Sequence, residues 1–150
     1  MVDWQNNRIA SALAHENPTV MVEMASGFAC FGDTQFLPGY CVLLPKREVA
    51  SLNDLTLAER SSFLTGMSCI GDAILASTDS IRINYDILGN TDAFLHAHIF
   101  PRYTWEIEAR LKKPVWLYDA SHWVDETYAY NDQQHGAIRT AIMNYLKGNV

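Results

Sequence analysis

The stretch Phe94-Leu95-His96-Ala97-His98-Ile99-Phe100-Pro101-Arg102-Tyr103 places two of the chain's five histidines at alternate positions in an apolar run. In a strand, side chains i and i+2 point to the same face, about 6.5–7 Å apart along the chain. His96 and His98 would then look out together, with Leu95, Ala97 and Ile99 facing the other side. Three readings compete. Both rings can be half-exposed strand residues or satisfied core imidazoles. They can be metal ligands, but such a site needs a third donor and usually a fourth. His15, His122 and His135 stand in no recognisable ligand spacing, so no metal or other cofactor is expected. The third reading is a phosphorus-centred site, with one imidazole as nucleophile and the other as donor to the phosphate. The flanks favour this last reading. Pro101-Arg102 brings a permanent cation and a sharp strand end near the pair. Gly89-Asn90-Thr91-Asp92 supplies a flexible backbone and small polar side chains, as phosphate cradles do; taken alone, it reads as a plain turn.

The whole chain bounds these readings. Its 150 residues suit one domain with a real hydrophobic core, and 49% apolar against 19% charged residues is the balance of a soluble globular protein. No run approaches ~18 consecutive apolar residues, so no membrane span is expected. The start, MVDWQNNRIA, has no basic segment followed by an apolar stretch, which argues against a secretory signal. Cys30, Cys41 and Cys69 form no Cys-x-x-Cys pair and read as reduced thiols of a cytoplasmic protein. A net charge of -6 argues against a broad surface tracking nucleic-acid phosphates. It is compatible with a small phosphorylated ligand, because a pocket needs only a few aimed donors.

The elements that must position the histidines can be read from periodicity. Residues 2–18 read as a short helix with Trp4, Ile9 and Leu13 on one face, stopped by Asn17-Pro18. Thr19 to Met24, Phe28 to Phe31 and Tyr40 to Leu44 read as strands, separated by a Ser26-Gly27 turn and a loop with Pro38-Gly39. Thr56-x-x-Glu59 is a capping-box signature, and Phe63, Met67, Ile70 and Ile74 behind it predict a helix to about Ala76. Ile81, Ile83 and Tyr85 alternate with Arg82 and Asn84 as in a strand with one polar face. Phe94 to Phe100 is the last strand of the set. Trp105 to Tyr130 is irregular and aromatic. Ile138, Ile142, Tyr145 and Leu146 then form the stripe of a closing helix that ends near Gly148. The expected fold class is α+β: an antiparallel sheet of about five strands, with a cross-sheet helix and terminal helices, in a single domain over 1–150. Its core spans about 19–103, followed by the aromatic segment and helix of 104–150.

Residues 89–102, GNTDAFLHAHIFPR, resemble the signature of the histidine triad superfamily of nucleotide hydrolases and transferases, His-x-His-x-His followed by apolar residues and often Pro-Arg. The resemblance extends backward over FACFGDTQFLPGYCVLLPKREVASLNDLTLAE, which is similar to that family's hairpin, Pro-Lys strand end and cross-sheet helix. It covers roughly Thr19 to Tyr103. The resemblance implies that His96 is the nucleophile and that His98 donates to the scissile phosphate. Asn90 and Thr91 fall where the family contacts phosphate or leaving group, and Asn84 where it often carries a pocket asparagine. Asp33 matches an acid that hydrogen-bonds ribose hydroxyls, Phe31 would lie beside the base, and Arg102 joins these as a substrate contact. For Phe31 core packing, and for Asp33 a turn role, remain open alternatives. A homodimer is the implied state.

Two departures from the pattern stand out. Phe94 occupies the first triad position, and Tyr40 follows Pro38-Gly39 where some hydrolases of the family have histidine. In the family a main-chain carbonyl at the first triad position steadies the nucleophile's other ring nitrogen. Any residue keeps that carbonyl, so Phe94 is expected to fix the tautomer of His96. The implied activity is hydrolysis at the α-phosphate of a nucleotide conjugate or dinucleoside polyphosphate through a nucleotidyl-histidine. The alternative is a nucleotide-binding module with little turnover. The aromatic segment after Trp105 reads as a dimer contact, a pocket wall, or self-packing over the sheet edge.

Overall fold

The computed structural model describes residues 3–149. Val2, where the predicted first helix begins, and the two ends of the expected 1–150 domain lie outside the described residues. Five strands, β1 (Val20–Met24), β2 (Gly27–Phe31), β3 (Cys41–Leu44), β4 (Arg82–Asp86) and β5 (Ala97–Arg102), form one antiparallel sheet in the order β1-β2-β3-β5-β4. Helix α1 (Arg8–Leu13) precedes the sheet and α2 (Leu57–Ser77) joins β3 to β4. A single-turn α3 (Glu108–Leu111), three short 3-10 turns and α4 (Asp132–Asn149) follow it. This is the expected α+β architecture. No described helix is long and apolar enough to cross a membrane.

The register divides the sheet into two faces. Cys30 pairs with Val42, and Val42 with His98; Phe31 pairs with Cys41, and Cys41 with Ile99. Residues directly opposite in a ladder share a face. One face therefore carries Ala29, Phe31, Cys41, Leu43, Ala97 and Ile99. It is buried under Phe63, Ile70, Ala73 and Ile74 of α2 and Ile142 and Leu146 of α4. The other face carries Phe28, Cys30, Val42, Leu44, His98 and Phe100. Its β2 side is covered by Ile9 and Ala12 of α1. Its β5 side is covered by aromatic residues that the segment after Trp105 brings back over Phe100 and Tyr40.

Local chemistry explains the boundaries. The Thr56 Oγ1 accepts from the Glu59 amide at 3.1 Å while Glu59 accepts from the Thr56 amide at 2.9 Å, so the predicted capping box starts α2. Gly27 opens β2 at φ 152°, and a Cβ there would lie 2.0 Å from the Leu44 carbonyl oxygen.

Two boundaries differ from the sequence expectation. Helix α1 has only six residues, ending before His15 at φ 60°, so Ile9 and Ala12 are its buried apolar residues, with Ser11 buried between them, while Leu13 is exposed. Strand β5 begins at Ala97, not Phe94, and continues through Pro101 and Arg102 instead of stopping before them. Pro101 fits because β3 pairs with β5 only as far as Ile99, so no ladder bond to that neighbour needs its missing N–H.

Candidate active site

His96 and His98 are set by different partners. His96 lies one residue before β5, is 8% exposed, and holds its Nδ1 2.7 Å from the Phe94 carbonyl oxygen. A carbonyl only accepts, so this nitrogen carries the proton and the lone pair of the neutral ring sits on Nε2. His98 Nδ1 lies 2.6 Å from the Tyr40 hydroxyl. Burial lowers the His98 pKa to about 3, with the neighbouring His96 adding to the effect. Burial pushes the Tyr40 hydroxyl far above its ordinary range. Both groups are therefore neutral near pH 7. The Tyr40 hydroxyl makes no other hydrogen bond among the described residues, so its proton goes to His98 Nδ1, and His98 then carries its own proton on Nε2. Two rings whose centroids are 4.8 Å apart thus hold opposite tautomers, one presenting a lone pair and the other an N–H.

Packing fixes this arrangement. Tyr40 stacks on Phe100 at 4.4 Å, and the edge of Trp116 meets His98 at 4.8 Å. Trp116 in turn stacks on Trp123 at 4.7 Å. The aromatic segment is tied down by the Gln35 amide donating to Tyr128 O at 2.6 Å and the Tyr130 amide donating to Asp33 O at 2.7 Å. That segment is a wall of the site, because Trp123 lines the cavity in front of the histidines.

The cavity has a volume of about 320 Å³, and its lining includes His96, His98, Tyr40 and Trp123 together with Arg8, Asp33, Cys30 and Asp92. Cys30 is a poor competitor as nucleophile, since burial pushes its thiol up to about 12. Arg8 donates to Asp33 through both terminal nitrogens, at 2.7 and 3.3 Å. Among the described residues no three His, Cys, Asp or Glu side chains stand together as a ligand set for a metal.

Of the residues singled out in the sequence, His96, His98 and Asp33 meet at this cavity. Phe31 borders it, but strand alternation turns its side chain to the helix face, where it is 2% exposed and meets Tyr130 edge-on. It is a core residue, not a base platform. Asn90 and Thr91 are exposed and off the cavity wall; Asp92 lines it instead.

Arg102 and Asn84 are elsewhere. Arg102 stands four residues beyond His98, about 13 Å along the strand. It is 3% exposed. Its five N–H groups go to Glu106, to Asn84 Oδ1 at 2.7 Å, and to the carbonyls of Arg110 and Lys113, both at 2.7 Å. None is left for a ligand, so the expected substrate contact is instead a clamp on the segment after β5. The permanent cation at the cavity is Arg8, which no sequence motif marks.

No family model matches the sequence, and no curated protein sequence matches it. Solved structures do. A histidine triad protein from Sinorhizobium meliloti 1021 superposes with a TM-score of 0.73 at 17% identity, over 97% of this chain and 96% of that one. A hypothetical histidine triad nucleotide-binding protein from Sulfolobus tokodaii gives 0.69 at 13% identity, over 94% and 92%. The chain has the histidine triad fold. The diadenosine triphosphate hydrolase of Plasmodium falciparum, solved with cyclomarin A, shares the fold at a TM-score of 0.54 and 17% identity, over 87% and 78%.

Proposed function

We propose that the protein is a nucleotide hydrolase that cleaves at the α-phosphate of a nucleotide conjugate or dinucleoside polyphosphate. The observation that carries this reading is the pair of contacts, His96 Nδ1 to Phe94 O and His98 Nδ1 to Tyr40 Oη, that assigns opposite roles to the two Nε2 atoms at one cavity. Likeness in fold to a nucleotide-binding protein and to a diadenosine triphosphate hydrolase supports the choice of ligand.

The reaction divides into two displacements. The His96 Nε2 lone pair attacks the α-phosphorus, the bond to the leaving group breaks, and a polyphosphate leaving group departs with the electron pair. The His96 ring becomes a phosphorylated imidazolium whose positive charge is held by Nδ1–H donating to Phe94 O. His98 Nε2–H donates to a non-bridging oxygen as negative charge builds; one such donor is worth about 3–4 kcal/mol at best. Water then attacks phosphorus, the P–N bond breaks, its electrons return to Nε2, and one proton passes to solvent. The product is a nucleoside monophosphate. The two-displacement route asks nothing of a metal in the site.

A homodimer joined through the sheet belongs to the same proposal. It is supported by β4 being an edge strand that exposes Tyr85, beside the exposed Ile81 and Leu88. The test of activity is release of nucleoside monophosphate from diadenosine triphosphate, followed by chromatography. His96→Ala should abolish it. A His96→Ala protein turning over at the wild-type rate would remove His96 from the chemistry.

A further inference from the structure

A second groove lies away from the histidines. It has a volume of about 640 Å³ and is walled by the C-terminal end of α2, the residues just after β5, Pro38, and Ile138 of α4. It shares no lining residue with the cavity of His96 and His98, and none of its lining belongs to β4. Trp105 forms one side. It is 60% exposed and stacks at 4.9 Å on the buried ring of Tyr103. The Tyr103 hydroxyl donates to the Pro38 carbonyl, so the ring beneath Trp105 is pinned.

The groove favours positive charge on three counts. The end of α2 borders it through Ala76, Ser77 and Thr78. The last four carbonyls of a helix have no partner within it. Here only that of Ile74 receives a side-chain donor, Thr78 Oγ1 at 2.8 Å, among the described residues. No basic residue stands in the last turn, so a 21-residue helix presents the negative end of its dipole uncompensated. Asp79 lines the same groove and makes no ion pair among the described residues. Burial pushes the Tyr103 hydroxyl up, and the negative field of Asp79 adds to it, which places that carboxylate near the aromatic stack. The face of an exposed indole attracts cations as well. Against these, no Lys, Arg or His lines the groove among the described residues.

We propose that this groove binds an arginine side chain of a basic partner polypeptide. Pro38, Ala76 and Ile138 offer apolar surface to the aliphatic stem. The planar guanidinium can lie on Trp105 while its N–H groups donate to Asp79 and to the open carbonyls of α2. A small inorganic cation would leave the apolar surface unused, and a neutral sugar or base would leave Asp79 unanswered. The chain's net charge of -6 favours the approach of a basic partner. This inference stands apart from the nucleotide reading and does not depend on it.

The test is a titration with acetyl-Gly-Arg-Gly-amide and with its citrulline counterpart, which has nearly the same shape and no charge. Binding is read by NMR from the indole N–H of Trp105, assigned by its absence in Trp105→Ala, and from the Thr104 amide. The arginine peptide should shift both signals saturably, and the citrulline peptide should bind about ten-fold more weakly. Asp79→Asn should weaken the arginine peptide about five-fold, and Trp105→Ala, read at Thr104, about three-fold. Both side chains are exposed, so both variants should fold as wild type does. No shift with the arginine peptide, or equal binding of the citrulline peptide, overturns the proposal. A Trp105 signal that moves with adenosine monophosphate or with protein concentration, and not with the arginine peptide, gives the groove to a nucleobase or to a second copy and overturns it as well.

Discussion

Tyr40 Oη stands 2.6 Å from His98 Nδ1; burial keeps both rings neutral, and the hydroxyl, which has no other hydrogen-bond partner among the described residues, is the donor in that contact. The hydroxyl thereby settles which nitrogen of His98 faces a ligand with a proton. Tyr40→Phe keeps the stack on Phe100 and deletes only the donor. Leaving a buried acceptor unsatisfied costs about 1–3 kcal/mol of stability. With the tautomer released, kcat should fall about ten-fold, with KM changing less. Nitrogen NMR of the imidazoles should show His98 moving from a single Nε2–H form to a mixture.

The Phe94 side chain should matter far less than its carbonyl. Phe94→Leu leaves the main chain, and therefore the 2.7 Å contact to His96 Nδ1, in place. The expected outcome is the wild-type His96 tautomer by NMR and activity within about three-fold, a loss of under 1 kcal/mol in the barrier. Loss of the Nδ1–H form in this variant would show that the ring, not the carbonyl, holds His96.

Acid stability follows from His98. Its folded pKa, about 3, lies below the ordinary histidine value of 6.5, so the unfolded chain binds the extra proton first. Stability is therefore unpenalised above about pH 6.5 and declines as pH falls from there toward 3. Its slope from this group is at most about 1.4 kcal/mol per pH unit. His98→Asn should flatten denaturant-derived stability against pH in that window. An unchanged slope would mean that His98 is not held neutral.

Arg102 should prove structural. Its ion pair with Glu106 is almost fully buried, at 4% and 0% side-chain exposure. Breaking such a pair from one side costs about 3–5 kcal/mol. Arg102→Met should lower the denaturation midpoint strongly and loosen the aromatic segment, seen as a change in tryptophan emission. Arg8→Met, at a half-exposed pair, should cost no more than about 1 kcal/mol. A stability loss at Arg8 equal to that at Arg102 would contradict this division.

The strands and the capping box of α2 were legible because each depends on a short window of sequence, whereas the contact between the Phe94 carbonyl and His96 was legible only through the family resemblance. The position of Phe31 was not. Gly27–Phe31 is buried on both faces, so no alternation of polar and apolar residues tells which way a side chain turns. Arg102 sits close to His98 in sequence, yet a strand carries it away and a buried carboxylate, Glu106, takes it up. Arg8 comes to the site through a partner 25 residues later in the chain, a pairing that no periodicity encodes. Asn90 and Thr91 lie in a loop whose path depends on backbone bonds such as Phe94 N to Asp92 O, which residue types alone do not specify.

Chemical trapping at His96 tests the central claim most directly. Protein mixed with diadenosine triphosphate and quenched in base should carry one nucleoside monophosphoryl group on the peptide containing His96 and His98. That group should be absent from His96→Ala and retained in His98→Asn. Product formation without a trapped group, and at an undiminished rate in His96→Ala, would contradict the account; tight binding with neither product nor adduct would leave a nucleotide-binding module in place of an enzyme.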